Sequence, residues 1–382
     1  RSIWVTGVQT CALPICAVGP AEFLDLVALG TVADLVPLDA NNRVLIAQGL
    51  RRIRAGRCAA GIRCLLEIAG RNREEASAGD LAFAVAPRIN AAGRLDDMTI
   101  GIQCLLADDV REATPLAARL DQLNDERRAI EARMQAEALA AVRGLRDPLD
   151  GPSRHGVCLF DAGWHQGVVG LVAGRVKERI RRPVIAFAAA DDGSLRGSAR
   201  SIAGVHIRDV LDAIAAREPG LIVRFGGHAM AAGLTLERAH LDRFARAFDA
   251  EVGRWMGAVA SLDSIETDGE LALDEICLDT ANALRAAGPW GQSFPEPCFD
   301  GLFTLRAPRR VGDRHVKMWV DVPGTGRAFD AIAFNHAEHP DAPLPQPGDA
   351  RLVYRLDVNA YQGERRLQLV VDHVLPASVA IS

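Results

Sequence analysis

Apolar positions change rhythm twice along this chain. In its first part they recur at helical spacing. Residues 22–36 read EFLDLVALGTVADLV, a stretch that opens as a helix and reaches a Gly30-Thr31 turn. Residues 41–53 carry Val44, Leu45, Leu50 and Ile53 at helical intervals, and 61–69 is a further short helix. Residues 81–94, which contain APRINAAGR, are too irregular in pattern for a simple helix. The clearest helix covers 114–144. Thr114 fits as its cap and Pro115 as its first position, where a missing N–H is harmless. Leu116, Leu120, Leu123, Ile130, Met134 and Val142 form one apolar stripe, and the other faces are charged. At 1.5 Å per residue such a helix runs about 45 Å, more than one core needs, which suits a bridge between domains.

The second rhythm begins after 147–155, a loop rich in Asp, Pro, Gly and Ser. Strand 157–160, helix 166–180 and strand 184–188 form a β-α-β pattern. A strand at 195–201, a helix at 207–217, a strand at 221–225 and an amphipathic helix at 240–256 complete this part. From residue 289 onward the rhythm changes again, to short alternating strands at 301–307, 315–322, 329–334, 351–358 and 366–373. Turns such as Pro323-Gly324 and Gln362-Gly363 separate them, and five short strands in this space suit a small oligonucleotide-binding type of barrel.

Charge sharpens the picture. The net charge of −5 argues against a general nucleic-acid coat, yet residues 151–235 hold 11 Lys/Arg against 7 Asp/Glu. An acidic chain with a basic middle suits a directed anionic ligand. The eight cysteines show no CxxC pair and no zinc spacing, and a reduced, cytoplasmic setting is the simplest expectation. No apolar run reaches the roughly 18 residues of a membrane span. Residues 5–15, VTGVQTCALPI, resemble the translation of a common sequencing-adapter oligonucleotide, so 1–15 are expected to be non-native.

Three motifs carry chemistry: DLVALGTVADLVPLDANNR at 25–43, APRINAAGRLDD at 86–97, and GSARS at 197–201 paired with RFGGHAMAAG at 224–233. In this order they resemble the DHH phosphoesterase superfamily, more closely its RecJ branch. GPWGQSFPEPCFDG at 288–301 is similar to the start of that branch's oligonucleotide-binding domain. The resemblance covers 17–376. It implies an α/β protein: part of a DHH catalytic lobe (16–110), a connecting helix (111–146), a nucleic-acid-gripping DHHA1 domain (147–258) and an OB-fold barrel (259–382). It implies metal-dependent 5′-to-3′ removal of nucleotides from single-stranded DNA, in recombination and repair. The chain departs from the family pattern in holding no Asp-His-His triplet and no upstream Asp-rich motif. The resemblance therefore implies a chain cut off upstream, inactive by itself, with some apolar faces of the catalytic lobe uncovered.

By local sequence alone, Asp34 is a turn residue or helix cap; the resemblance implies a ligand of Mn2+ or Mg2+. Arg88, Asn90 and Arg94 offer planar phosphate recognition near the 5′ end or the scissile bond, or else a pair of interdomain salt bridges. Gly226, Gly227 and His228 suit a strand-to-helix turn with N–H groups free for phosphate, or a glycine turn with a buried histidine. Arg200, flanked by serines, would complete that cradle, or is solvated surface. His165 is read as a helix-start residue with a possible substrate role. Lys177, Arg179, Arg181 and Arg182 suit the negative end of a helix dipole. Trp319, Phe334, Tyr354 and Tyr361 are base-stacking residues or barrel core. Expected partners are single-stranded DNA and other DNA-repair proteins, with no membrane. Two alternatives remain open: a single-strand-binding module without catalysis, and a DHH-superfamily phosphoesterase acting on small nucleotides. A strand-binding barrel disfavours the last.

Overall fold

A computed structural model describes residues 19–144, 154–256, 265–312, 315–334, 336, 343–361 and 364–378. The expected non-native start and most of the 147–155 loop lie outside the described residues. The first helices are α1 (Leu24–Ala33), α2 (Ala40–Arg54), α3 (Ala60–Ile68), α4 (Ala86–Leu95), α5 (Thr99–Leu106) and α6 (Val110–Gly144). Then come β1 (Val157–Phe160), α7 (Val169–Ile180), β2 (Val184–Ala189), β3 (Ser194–Arg200), α8 (Ile207–Arg217), β4 (Arg224–Gly227), β5 (Ala231–Glu237) and α9 (Leu241–Met256). The last part holds α10 (Leu278–Ala287), β6 (Phe299–Val311), β7 (His315–Asp321), β8 (Ala328–Ala333), β9 (Gly348–Tyr361) and β10 (Glu364–Pro376).

Several boundaries differ from the sequence reading, each for a local reason. Gly30-Thr31 does not turn the chain: the Thr31 hydroxyl donates to the Val27 carbonyl at 2.7 Å, and α1 runs on to Ala33. The long helix starts at Val110, because the Asp109 carboxylate accepts from the N–H groups of Arg111 (2.7 Å) and Glu112 (3.0 Å). Thr114 is therefore not the cap, and its hydroxyl donates back to the Val110 carbonyl at 2.6 Å. The APRINAAGR segment is helical after all. Pro87 sits in the first turn of α4, where it lacks no needed bond, and Ala91 and Ala92 are buried. The strand expected at 221–225 runs from Arg224 to Gly227, and β5 and α10 were not anticipated.

Two compact units make up the chain. One combines the residues up to 58, 71–83 and those from 265 onward. In it α1 and α2 pack through Ala28, Leu29, Ile46 and Leu50, while Phe23, Val27 and Val44 remain exposed. Its strands form a closed barrel in the order β10-β8-β7-β6-β9. The five expected strands are all present, and the barrel is filled by Phe303, Val316, Met318, Leu352, Tyr354 and Leu369.

The other unit holds 59–70 and 84–264. Its sheet has the order β1-β2-β3-β5-β4, with β1 and β2 parallel and the rest antiparallel. α8 and α9 cover one face: Val210, Leu211, Ile214, Phe244 and Phe248 bury Phe187, Leu195 and Leu236. Each such side chain taken fully out of water contributes about 1.5–3 kcal/mol. On the other face, α7 and the end of α6 cover Val157, Leu159, Val184, Ala186 and Ala188. That apolar cover does not extend across β3, β5 and β4, where the same face turns polar.

Candidate nucleic-acid interface

The polar half of the sheet is written in β3. Burial alternates strictly along SLRGSAR, with Leu195, Gly197 and Ala199 inside and Ser194, Arg196, Ser198 and Arg200 on the other face. That alternation is what a half-covered strand demands. Register sets the neighbours: Arg200 pairs with Val184 and Ala231, Ser198 with Ala186 and Gly233, Arg196 with Ala188 and Thr235. α7 comes close at Gly170. A Cβ there would lie 2.8 Å from the Arg200 guanidinium and 2.9 Å from Ser198 Oγ, so the missing side chain makes room for both.

Arg200 donates from Nη1 to Ser198 Oγ at 3.0 Å and to the Ala199 carbonyl at 2.8 Å. It forms no ion pair among the described residues. Burial lowers its pKa, and the charge of Arg94 lowers it further. Arg94 is itself lowered by burial, offset in part by Glu131. It sits at the end of α4 and donates to the Gly167 carbonyl at 3.1 Å. Gly167 is needed for this approach, since a Cβ there would stand 2.1 Å from the Arg94 carbonyl oxygen. Arg94 beside Gly167 and Arg200 beside Gly170 thus both lie against the start of α7, and neither forms an ion pair among the described residues.

Beside this pair lies a cavity of about 600 Å3, lined by Arg94, Trp164, His165, Gln166, Gly167 and Ala189 among others. His165 holds the start of α7: its Nδ1 accepts from the Gly167 N–H at 3.1 Å, and its carbonyl accepts from Val168 and Val169. The Trp164 indole donates to Glu137 on α6 at 2.9 Å, and Gln166 donates to the Ala189 carbonyl at 3.0 Å.

The remaining candidates are distributed. Arg88 is engaged: its Nε donates to Asp121 at 2.7 Å and its Nη1 to the Ala84 carbonyl at 2.7 Å. Asn90 is half-buried, one helical turn before Arg94 on α4. Gly226 lines a second trough with Arg196, Arg224, Gly233 and Thr235, of about 360 Å3. Gly227 and His228 lead not into a helix but into a hairpin, between β4 and β5. The His228 N–H is bonded to the Ala231 carbonyl at 2.8 Å, so it is not free for a phosphate, and its side chain is exposed rather than buried. The carbonyls of Ala229 and Met230 accept from Ile207 and Ser201, which pins the turn. Gly227 has φ +149, and a Cβ there would meet the Ala231 carbonyl at 2.4 Å. Arg196, Arg224 and Thr235 were not singled out by sequence reasoning; the alternation in β3 was the signal available.

Asp34 lies in the other unit. It ends α1, exposed, ahead of Leu35 at φ +51. Among the described residues, no group of three or more His, Cys, Asp or Glu side chains is placed to hold a metal ion. One carboxylate does not make a Mn2+ or Mg2+ site, so the described residues do not fit such an ion by themselves. On the barrel, Trp319 and Phe334 are 52% and 51% exposed, and Phe334 stands edge-on to His315 at 5.3 Å. Arg306 pairs in register with Trp319, and Arg309 with Lys317. Tyr354 is core, and the side chain of Tyr361 lies outside the described residues. No described helix is long and apolar enough to cross a membrane, and the six described cysteines are free thiols.

Two domain families match the chain. Residues 154–254 match the DHHA1 domain and residues 267–373 the RecJ OB domain. The single-stranded-DNA-specific exonuclease RecJ of Dickeya dadantii is 53% identical over 361 residues, which cover 93% of this chain and 62% of that protein. The chain therefore spans less than two thirds of that relative's length. The crystal structure of RecJ in complex with Mg2+ from Thermus thermophilus matches with TM-score 0.76 and 28% identity, over 94% of this chain and 53% of that one. Its Mn2+ complex matches with TM-score 0.75 and 29% identity, over 94% and 51%. A sheet half covered by α7, a closed five-stranded barrel and the matches to both domains lead to one conclusion: the chain belongs to the RecJ family.

Proposed function

We propose that this chain is the nucleic-acid-gripping part of a 5′-to-3′ exonuclease acting on single-stranded DNA in recombination and repair. The observation that carries the reading is that Arg94, which lines the cavity, and Arg200, which abuts Gly170, both lie against the start of α7 with no ion pair among the described residues. A phosphate there accepts from both guanidinium groups and cancels their repulsion, and Ser198 Oγ lies within reach of the same oxygens. We assign this position to the 5′-terminal phosphate. Asn90 precedes Arg94 by one turn on the same helix face, while Arg88 braces α4 against α6 through Asp121. The hairpin at Gly226, Gly227 and His228 shapes the far side of the sheet. We keep as a proposal the domain division of the sequence reading: 16–110, 111–146, 147–258 and 259–382.

The exposed Trp319 and Phe334, with basic residues around them, give the barrel a stacking surface for bases. That favours a long strand over a small nucleotide as ligand. Asp34 is read as one carboxylate of a Mn2+ or Mg2+ site, supported by its exposure, by the tight turn that follows it, and by relatives crystallised with those ions. The test is fluorescence anisotropy with a labelled single strand carrying either a 5′-phosphate or a 5′-hydroxyl. Affinity should fall with salt by about 0.7 log unit per log salt for each phosphate neutralised. The 5′-phosphate should tighten binding, and Arg94→Gln or Arg200→Gln should erase that gain. No binding at low salt, or equal affinity for both ends, overturns the reading.

A further inference from the structure

We infer that the trough between β3, β5 and β4 is a second backbone subsite, which takes the phosphate of a nucleotide further along the same single strand. The inference rests on the Arg94–Arg200 reading and extends it across the sheet. Arg196, Thr235 and Arg224 stand in line on three neighbouring strands. Both arginines donate to one acceptor, the buried Thr235 hydroxyl: Arg196 Nη1 at 3.0 Å and Arg224 Nε at 3.3 Å. A neutral hydroxyl orients two cations but does not balance them. Asp192 balances Arg196, with Oδ2 2.9 Å from Nη2. Arg224 is exposed and has no ion-pair partner among the described residues.

The floor of the trough gives the second argument. Gly226 and Gly233 pair across β4 and β5. A Cβ at Gly226 would meet nothing within 4 Å, and one at Gly233 would meet only the Gly197 carbonyl oxygen at 4.0 Å. Neither has a positive φ. Gly197, on the opposite face, is explained by packing, since a Cβ there would strike Phe187 at 2.4 Å. No described protein atom demands glycine at 226 or 233, and glycine weakens a strand interior. What the two glycines do is leave backbone bare between two arginines, where a flat or bulky ligand can lie close.

The third argument is distance. Arg196 and Arg200 point to the same face four residues apart, roughly 13 Å along an antiparallel strand, with Ser198 between them. One nucleotide does not bridge that gap. A strand anchored by its 5′-phosphate at Arg94–Arg200 therefore passes over Ser198 and presents a later phosphate to Arg196 and Arg224. The trough lies between strands, and the span from Arg196 to Arg224 is about two strand spacings, roughly 10 Å, which suits one nucleic-acid strand.

The test uses the full chain, its Arg224→Gln and Gly226→Val variants, and a long oligothymidylate with 5′-phosphate or 5′-hydroxyl. Circular dichroism first confirms that both variants fold, as the open space at Gly226 leads one to expect. Each should bind the phosphorylated strand about tenfold more weakly (1.4 kcal/mol). For Arg224→Gln the salt slope should also drop by about 0.7. In both, the gain from the 5′-phosphate should stay as in the parent chain, whereas Arg200→Gln removes it. Parent-like affinity in both variants overturns the trough as a subsite and leaves the Arg94–Arg200 reading standing. Loss of the 5′-phosphate gain in Arg224→Gln also overturns it, because both sites would then hold one phosphate. Equal affinity of the parent for duplex overturns the single-strand assignment. A parent indifferent to the 5′-phosphate defeats the Arg94–Arg200 reading and this extension together.

Discussion

Replacing Arg200 with Gln should separate binding from folding. In the unliganded chain Arg200 donates to Ser198 Oγ and the Ala199 carbonyl, two bonds worth about 1 kcal/mol each. Gln is shorter and forfeits some of that. Against the loss stands the removal of a half-buried charge, disfavoured first by burial and then by the charge of Arg94. The two contributions oppose each other, so the net change in unfolding free energy should stay within about 1 kcal/mol, below the range for a lost structural group. Binding has no such offset. A charge-assisted bond to phosphate contributes about 1.5–3 kcal/mol, so affinity for a 5′-phosphorylated strand should fall roughly 10- to 150-fold. Urea unfolding and anisotropy titration on the same preparations measure both. Inorganic sulfate should raise the melting temperature of the parent chain and leave that of the variant nearly unchanged, since a ligand stabilises only the state that binds it. A loss of more than about 3 kcal/mol in stability with less than a twofold change in affinity would refute the reasoning: Arg200 would then be a structural group.

Three further outcomes follow from other sites. Gly227→Ala should destabilise the hairpin by more than about 2 kcal/mol, because φ +149 and the 2.4 Å approach to Ala231 both oppose a side chain; a parent-like melting curve would contradict this. Tyr354→Phe should melt at or above the parent temperature, because the buried hydroxyl has no partner among the described residues, while Tyr354→Ala should lose about 3–5 kcal/mol; a clear loss in the Phe variant would mean that the hydroxyl is bonded. Alkylation should reach Cys277 before Cys104 and Cys298, and at lower pH. The Thr280 side chain and backbone lower its pKa by hydrogen bonding, whereas burial pushes Cys104 and Cys298 up to about 11. Only the thiolate reacts, so at pH 8 Cys104 and Cys298 should stay largely unmodified; mass mapping that finds them labelled as fast as Cys277 would reverse the assignment.

Much of the fold was legible because its elements carry period as well as composition. The barrel strands alternate, and the five expected are the five found. Helix α8 matches its expected range, 207–217, because Val210, Leu211 and Ile214 mark its face. What failed to show was decided by contacts outside the window being read. Asp109, five residues ahead of the expected cap, starts α6. RFGGHAMAAG reads as a glycine turn into a helix until β5 is known to return beside β4. Arg94 and Arg200 were both singled out, but their proximity depends on α4 and β3 meeting near Gly167 and Gly170, which no spacing along the chain reveals.

The placement of the arginines is a consequence of core packing, and so simple a pattern as SLRGSAR is enough to present them on one face. Leu195 and Ala199 are fully buried with Phe187, Leu234 and Leu236. A slip of one residue would bring them to the open face and drive Arg196 and Arg200 into that core. Burying two unpaired guanidinium groups costs far more than leaving them beside water, so the core holds the register against any such slip. The same rows then change chemistry from strand to strand: Val184, Ala186 and Ala188 under α7 become Arg200, Ser198 and Arg196 one strand further. Apolar neighbours on one side and bare glycine backbone on the other leave the charges few places to relax. At the proposed phosphate site the cations are therefore held in position before any anion arrives.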